Sequence, residues 1–429
     1  MTTAVFFIGD YGVGANERTL AKNTVMLYVM QISGYVFPLL TFPYLTRVLG
    51  AEKYGTVVFA NSIMSYFTLL IDFGFLLSGT NSCSLVSNDK TKLGNITVGI
   101  IMAKGLLVVV AFFALQICCR FVSKIRKEYL FYNLSFIGIF LTIFLPDYLF
   151  RGIEKMSIIT YRVVASKAVY TVLIFICIHN ESDYLFVPLA TIGSNLFAVI
   201  LTWIEITRKK IIKLCKVSFI DMLKYLKESA SFFLSRIASS FYTSLNTVLL
   251  GNKFPSASVG EYGVANTLTN TIRSLLSPIS DSIYPYMIKE KNFKLVRKIL
   301  LIFEPMILIC CVVLWIVAKS FVRIVCGDGY ENAVPMLQLM IPIVAITLPA
   351  YLCGYPVLGA LGKIKWANWS IVFSASFHIA GLLLLFAMKK INFYSIIILT
   401  CITQYIEFFI RLSIVSRSFR KNEIKDNNK

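Results

Sequence analysis

The chain has 429 residues, of which 57% are apolar, 14% aromatic and only 15% charged. Soluble globular domains run near one-quarter charged and below half apolar, so this composition excludes an ordinary soluble protein, and the length leaves no room for a large soluble domain beside the membrane spans. The 42 Lys and Arg against 22 Asp and Glu give +20; with no RNA-binding motif, zinc-finger spacing or P-loop, no nucleic-acid partner is expected, and the charge is first a matter of membrane topology.

Residues 1–22 read as an N-terminal cytoplasmic extension. The short apolar patch Ala4 to Ile8 has neither a charged n-region nor a cleavage-type site, so it is not a signal peptide. A bilayer span takes about 20 mainly apolar residues. Apolar runs between charged or turn-rich breaks predict spans near 24–46, 55–82, 95–118, 129–150, 158–179, 185–206, 229–250, 260–286, 299–318, 335–360, 367–388 and 394–415. The basic segment 207–228, almost midway, reads as a cytoplasmic linker between an N-lobe (23–206) and a C-lobe (229–415), and 416–429 as a basic cytoplasmic tail.

An even number of spans puts both termini on one side. With that side inside, 25 of the 42 basic residues fall on inner segments, 11 on outer segments and six within spans. This bias predicts cytoplasmic termini. Arg120, Lys124, Arg126 and Lys127 oppose it on one outer loop. Of the ten cysteines, Cys83, Cys177, Cys310, Cys311, Cys353 and Cys401 lie in apolar runs and no CxxC pair exists, so they read as small core residues.

Self-comparison finds a repeat. Pro146-x5-Gly152-x2-Lys155 closes the fourth span and Pro356-x5-Gly362-x2-Lys365 the tenth. Tyr54-Gly55 and Tyr262-Gly263 open the second and eighth, followed by Asp72 and Asp281, and Leu49-Gly50 and Leu250-Gly251 precede them. Six spans per copy is even, so the copies share a topology. The expected fold is an all-α membrane protein of about twelve transmembrane helices, in two parallel-related six-helix lobes around a central cavity suited to alternating access.

Polar side chains in spans are costly, so their faces are informative. In the eighth span Asn266, Asn270, Arg273, Ser277 and Ser280 form one helical stripe, with Asp281 beside it. The second span carries Asn61, Ser65, Thr68 and Asp72, the seventh Arg236, Ser240, Thr243 and Thr247, and the first a milder Tyr28, Gln31 and Tyr35. Small polar stripes also serve as helix-packing seams. A midplane Arg, at about 3 kcal/mol, exceeds what a seam requires. Stripes in the same pair of spans of each repeat point to a polar cavity between the halves.

Lys104 either snorkels or faces that cavity; Arg162 and Lys167 are similarly placed, with snorkelling favoured for Arg162. Glu407 and Arg411 are an i,i+4 pair that neutralises itself, and Asp147 and Arg151 are spaced likewise. His179 and His378 lack carboxylates at ligand spacing, so no metal or cofactor is expected; proton carriage by His378 is a minor alternative. Arg236, Arg273, Lys104 and Arg162 against Asp72 and Asp281 make the cavity cationic, which suits an anionic substrate, with phosphate or pyrophosphate matching the donor fork of Arg.

The stretches Pro38 to Gly50 (PLLTFPYLTRVLG), Tyr54-Gly55, Asp72 to Thr80 (DFGFLLSGT), Gly152 to Met156 (GIEKM), Ser231 to Arg236 (SFFLSR), Leu245 to Gly251 (LNTVLLG) and Gly327 to Asn332 (GDGYEN) occur in the same order as in the O-antigen and polysaccharide-unit flippases of the Wzx type, which the chain resembles from about residue 22 to 420. The resemblance implies an inner-membrane, multi-pass protein of the multidrug/oligosaccharide-lipid/polysaccharide exporter superfamily. Such a protein moves an undecaprenyl-pyrophosphate-linked oligosaccharide from the cytoplasmic to the periplasmic leaflet and hands it to an O-antigen polymerase and chain-length regulator. Arg236 and Arg273, with Lys104 and Arg162, are then the expected pyrophosphate ligands, and Asn61, Ser65, Thr68, Asp72, Ser240, Thr243, Asn266, Asn270, Ser277 and Asp281 line the cavity or couple an ion. Two rivals remain. A multidrug exporter of the same superfamily would prefer an anionic or aromatic cavity, and a membrane-embedded glycosyltransferase would need a larger outer loop than Lys319 to Val334, so no enzyme is expected.

Overall fold

The computed structural model describes the backbone of residues 15–213 and 215–427, and all side chains there except those of 15–22, 24, 231, 234–243, 285 and 420–427. In chain order the helices are α1 (Ala15–Asp72), α2 (Phe75–Leu85), α3 (Lys90–Phe121), α4 (Ser123–Lys127), α5 (Tyr129–Thr142), α6 (Asp147–Gly152), α7 (Met156–Cys177), α8 (Phe186–Arg208), α9 (Phe219–Lys253), α10 (Ser256–Glu290), α11 (Phe293–Cys326), α12 (Ala333–Ala345), α13 (Thr347–Leu352), α14 (Ile364–Ala387) and α15 (Phe393–Asn427). A 3-10 turn (Glu181–Leu185) precedes α8 and a π turn (Cys353–Leu358) follows α13. Among the described residues there is no strand.

Helix occupies every predicted span. Among the described residues, by length and composition alone, eight helical segments can cross a membrane, or nine if the bent pair Ala333–Ala345 and Thr347–Leu358 is one span. Val25–Leu85 holds the first two expected spans. They need no loop because Gly50, at φ 63°, turns the chain inside α1, a left-handed conformation that glycine adopts without a Cβ clash.

Three boundaries differ from the sequence reading. The helix of the first span already runs from Ala15, within the predicted extension. The helix of the seventh span, α9, starts at Phe219, so the last ten residues of the predicted linker are its first turns. The second span breaks after Asp72, where Phe73 and Gly74 both have positive φ.

The chain groups into two compact units. The N unit comprises the chain up to Thr41 and Met64–Arg236, and the C unit Phe42–Ile63 and Ile237–Lys429. The N unit's core gathers Phe75, Ile100, Tyr148, Phe150 and Ile206; the C unit's gathers Met287, Leu348, Leu352, Leu358 and Ala367. Within the C unit the segment 42–63 lies directly on α10. A Cβ on Gly55 would sit 1.7 Å from the Ser256 carbonyl oxygen, so glycine is what allows the backbones this close. Tyr330 fixes the same corner by donating to the Thr46 carbonyl at 2.9 Å.

The units repeat one device. In the N unit the fourth span breaks between α5 and α6, and the Phe144 carbonyl accepts from Trp203 Nε1 on α8 at 3.0 Å. In the C unit the tenth span bends by 42° between α12 and α13, and the Ala350 carbonyl accepts from Arg411 Nη1 on α15 at 3.0 Å. Both broken spans then end alike. Glu154 (φ 58°) is followed by a Lys155 N–H to Phe150 carbonyl bond of 2.8 Å, and Gly362 (φ 70°) by Lys363 N–H to Leu358 at 2.7 Å. The backbone therefore matches Glu154 with Gly362, not Gly152 with Gly362. Only the second copy has glycine at the left-handed position, so residue identity alone slides the register by two.

Candidate functional site

The C unit encloses a 370 Å³ pocket between α9, α10, α12–α13 and α15. Asn266, Asn270 and Arg273, one side of the predicted stripe, line it. Asn270 donates to the Asn266 carboxamide oxygen at 3.1 Å. Arg273 is held by neutral groups from two other helices: Nη2 donates to Gln404 Oε1 at 2.8 Å, and Nε to Thr347 Oγ1 at 3.3 Å. Among the described residues it forms no ion pair, so its charge remains available.

The other charges of this pocket cancel. Glu407 and Arg411 both line it and pair with each other at 2.5 Å, as their spacing predicts. Arg411 also donates to Ser370 Oγ and to the Ala350 carbonyl, each at 3.0 Å. The described lining thus carries one net positive charge, on Arg273. Further along α10, Ser280 donates to the Tyr351 carbonyl at 3.3 Å and Ser277 to the Ser274 carbonyl at 3.2 Å. Neither Ser277 nor the exposed Asp281 is in the pocket wall.

His378, fully buried, contacts the pocket-lining Asn246. Its Nε2 is 2.9 Å from Asn246 Oδ1 and its Nδ1 2.9 Å from Thr403 Oγ1, while Asn246 Nδ2 donates to Thr400 at 3.1 Å. The imidazole thereby ties α14 to α9 and α15. Among the described residues no group of three His, Cys, Asp or Glu could hold a metal ion, and all ten cysteines are free thiols.

The N unit holds a smaller cavity of 260 Å³, lined by Thr68, Asp72, Lys104, Asp147 and Tyr148 among others. Lys104 Nζ lies 3.1 Å from Asp72 Oδ1. Arg162 grips Asp147 with both terminal nitrogens, at 2.5 and 3.0 Å. Each cation is buried, with 6% of its surface exposed, so neither snorkels. Asp147 does not pair with Arg151, as their spacing suggested: the break at Pro146 starts α6 at Asp147, and α7 brings Arg162 to it instead. Of the second-span stripe, Thr68 and Asp72 reach this cavity while Asn61 and Ser65 are exposed. Arg236, Ser240 and Thr243 lie on α9, where their side chains fall outside the described residues.

Sequence reasoning missed Gln404 and Thr347 and favoured a structural role for Glu407 and Arg411. A signal existed: Gln404, Glu407 and Arg411 follow i, i+3, i+7 spacing on the last span, the same stripe criterion applied to the eighth.

Two repeat-related helical units, each with a broken fourth span and a polar pocket within its bundle, define a multi-span membrane protein of the transporter class. The chain belongs to the polysaccharide biosynthesis protein family, whose profile matches residues 20–291. It is 28% identical over 337 residues to the "Putative O-antigen transporter" of Escherichia coli strain K12, covering 77% of this chain and 81% of that one. To "Lsg locus putative protein 1" of Haemophilus influenzae it is 23% identical over 389 residues, covering 85% and 90%. Among solved structures, the lipid II flippase MurJ in an inward closed conformation superposes with a TM-score of 0.69 at 15% identity, over 94% of this chain and 89% of that one. An inward-facing multidrug resistance MATE family transporter of the MOP superfamily gives 0.69 at 13%, over 93% and 99%. At these identities the likeness is one of fold.

Proposed function

We propose that the protein is a flippase for lipid-linked oligosaccharides in the bacterial inner membrane, both termini cytoplasmic, carrying an undecaprenyl-pyrophosphate-linked O-antigen or related unit from the cytoplasmic to the periplasmic leaflet. The observation that carries this reading is Arg273: a half-buried guanidinium in a polar pocket, held by Gln404 and Thr347 and unmatched by a carboxylate among the described residues. Such a group is costly within a membrane unless an anion uses it. The kinship to O-antigen transporters supports the choice of anion.

In this reading Arg273 receives the pyrophosphate through its planar fork. Asn266, Asn270 and Gln404 hydrogen-bond sugar hydroxyls, and the polyprenyl tail remains in lipid. No covalent step is involved. Alternating access of two repeat-related lobes exposes the site to either side, and an inside-negative potential drives the anionic head outward with about 2.3 kcal/mol per charge per 100 mV. A polymerase with its chain-length regulator consumes the product.

Deleting the gene tests the reading. The expected result is accumulation of lipid-linked oligosaccharide facing the cytoplasm, loss of surface glycan, and unchanged susceptibility to a panel of cationic drugs. Intact glycan with drug hypersensitivity would instead make the protein a multidrug exporter.

A further inference from the structure

Three turns far apart in sequence meet at one end of the N unit around a 620 Å³ recess: the α2–α3 turn, the turn after α6, and the end of α8. Each contributes lysine. Lys90 comes from the first, Lys155 from the second, and Lys209 and Lys210 from the third. The backbone builds the recess firmly. Glu154 and Lys210 are left-handed, at φ 58° and 47°, and the closing bonds Lys155 N–H to Phe150 (2.8 Å) and Ile211 N–H to Ile206 (3.1 Å) satisfy helix-end carbonyls. Lys213 N–H donates to the Lys90 carbonyl at 2.9 Å, and a Cβ on Gly94 would stand 1.9 Å from the Lys213 oxygen.

Because backbone amides close these helix ends, the lysine ammonium groups are not consumed in capping them. Lys209 pairs with Glu205. Among the described residues Lys90, Lys155 and Lys210 form no ion pair, and Glu154 is the single carboxylate lining the wall. The neighbouring Asp89 is occupied as the α3 cap, accepting from the amides of Thr91 and Lys92 at 3.0 Å each. Ser87 and Asn88 add neutral donors, while the Ser84 hydroxyl is donated to the Asn81 carbonyl at 2.8 Å. The positive-inside rule asks for basic residues on these loops but not for their convergence on one recess.

Lysines from three separate turns lining one recess, with Ser87 and Asn88 beside them, suit the oxygens of a phosphate. Exposed apolar side chains stand on the helices that end at it: Leu85, next in sequence to the lining residue Ser84, is 79% exposed, and Ile204 on α8, five residues before the lining residue Lys209, is 53% exposed. We propose that this recess binds the phosphate of an anionic lipid headgroup, with the acyl chains along Leu85 and Ile204. The proposal is independent of the flippase reading.

The test is binding to purified full-length protein of dioctanoyl phosphatidylglycerol, dioctanoylglycerol and inorganic phosphate, by thermophoresis and native mass spectrometry. The phosphatidylglycerol should bind well and the phosphate-free lipid poorly. Lys155→Gln with Lys210→Gln should weaken the former by about tenfold or more, while Lys389→Gln with Lys390→Gln, which removes equal charge elsewhere, leaves it unchanged. A thermal midpoint matching wild type certifies the fold, with Lys155→Gln alone as the milder variant. Equal losses in both double variants, or none, would overturn the site. Inorganic phosphate binding as tightly as the lipid would overturn the lipid assignment.

Discussion

Arg162 donates two near-parallel hydrogen bonds to Asp147, Nη1 to Oδ1 at 2.5 Å and Nη2 to Oδ2 at 3.0 Å, joining α7 to the first residue of α6 just past the break in the fourth span. Asp147 is 31% exposed on the cavity side while Arg162 is 6% exposed, so the pair secures a helix that its own break has loosened. Removing one partner of a fully buried pair costs about 3–5 kcal/mol; with Asp147 partly exposed, Arg162→Met should cost about 2 kcal/mol. Thermal unfolding of purified protein measures this, and adding Asp147→Leu should recover most of the loss.

The Lys104–Asp72 pair separates charge that is spent from charge that is available. Since Asp72 already balances Lys104 at 3.1 Å, neutralising both with Lys104→Gln and Asp72→Asn should retain about half or more of the surface glycan. Arg273→Gln should lower it by about tenfold or more, the weight of one charge-assisted contact of about 1.5–3 kcal/mol. Quantitative glycan blots of the two strains, normalised to membrane-inserted protein, make the comparison.

The two broken spans should differ in what their caps are worth. Trp203→Phe deletes one hydrogen bond to the Phe144 carbonyl and should cost about 1 kcal/mol. Arg411→Leu frees the Ala350 carbonyl and leaves Glu407 without its cation, so about 3 kcal/mol is expected. Thermal midpoints of the two variants should fall in that order.

Gly55 tests the close approach in the C unit. Its missing Cβ would lie 1.7 Å from the Ser256 carbonyl oxygen and 2.9 Å from the Gly260 nitrogen, both backbone atoms that cannot rotate away. Gly55→Ala should destabilise by about 1–3 kcal/mol and reduce the protein accumulating in membranes. Gly105→Ala, with nothing within 4 Å of the added carbon, should be neutral or gain about 0.5–1 kcal/mol from helix propensity. Membrane levels of tagged variants compare them directly.

Much of this was legible in residue order, for a physical reason. Hydrophobic thickness sets span length, and each predicted run proves helical. The stripe Asn266, Asn270, Arg273 could be read because three polar residues on one helix face are visible to periodicity. Pairing across helices was not. Asp147 found Arg162 rather than Arg151 because the next helix, α7, brings that guanidinium to it, and Gln404 entered the Arg273 pocket from a helix 131 residues away. The repeat was visible, yet its register slid by two because Glu154 occupies a left-handed position where the second copy has Gly362.

Under the proposed function, Arg273 in the C-unit pocket receives the substrate's pyrophosphate. The most direct test of that role is the leaflet distribution of labelled lipid-linked oligosaccharide in spheroplasts carrying wild type, Arg273→Lys or Arg273→Glu, at matched protein levels. Transfer to the outer leaflet is expected in wild type, partial transfer with Lys, which keeps the charge and loses the fork, and arrest in the inner leaflet with Glu. Wild-type distribution in the Arg273→Glu strain would contradict it.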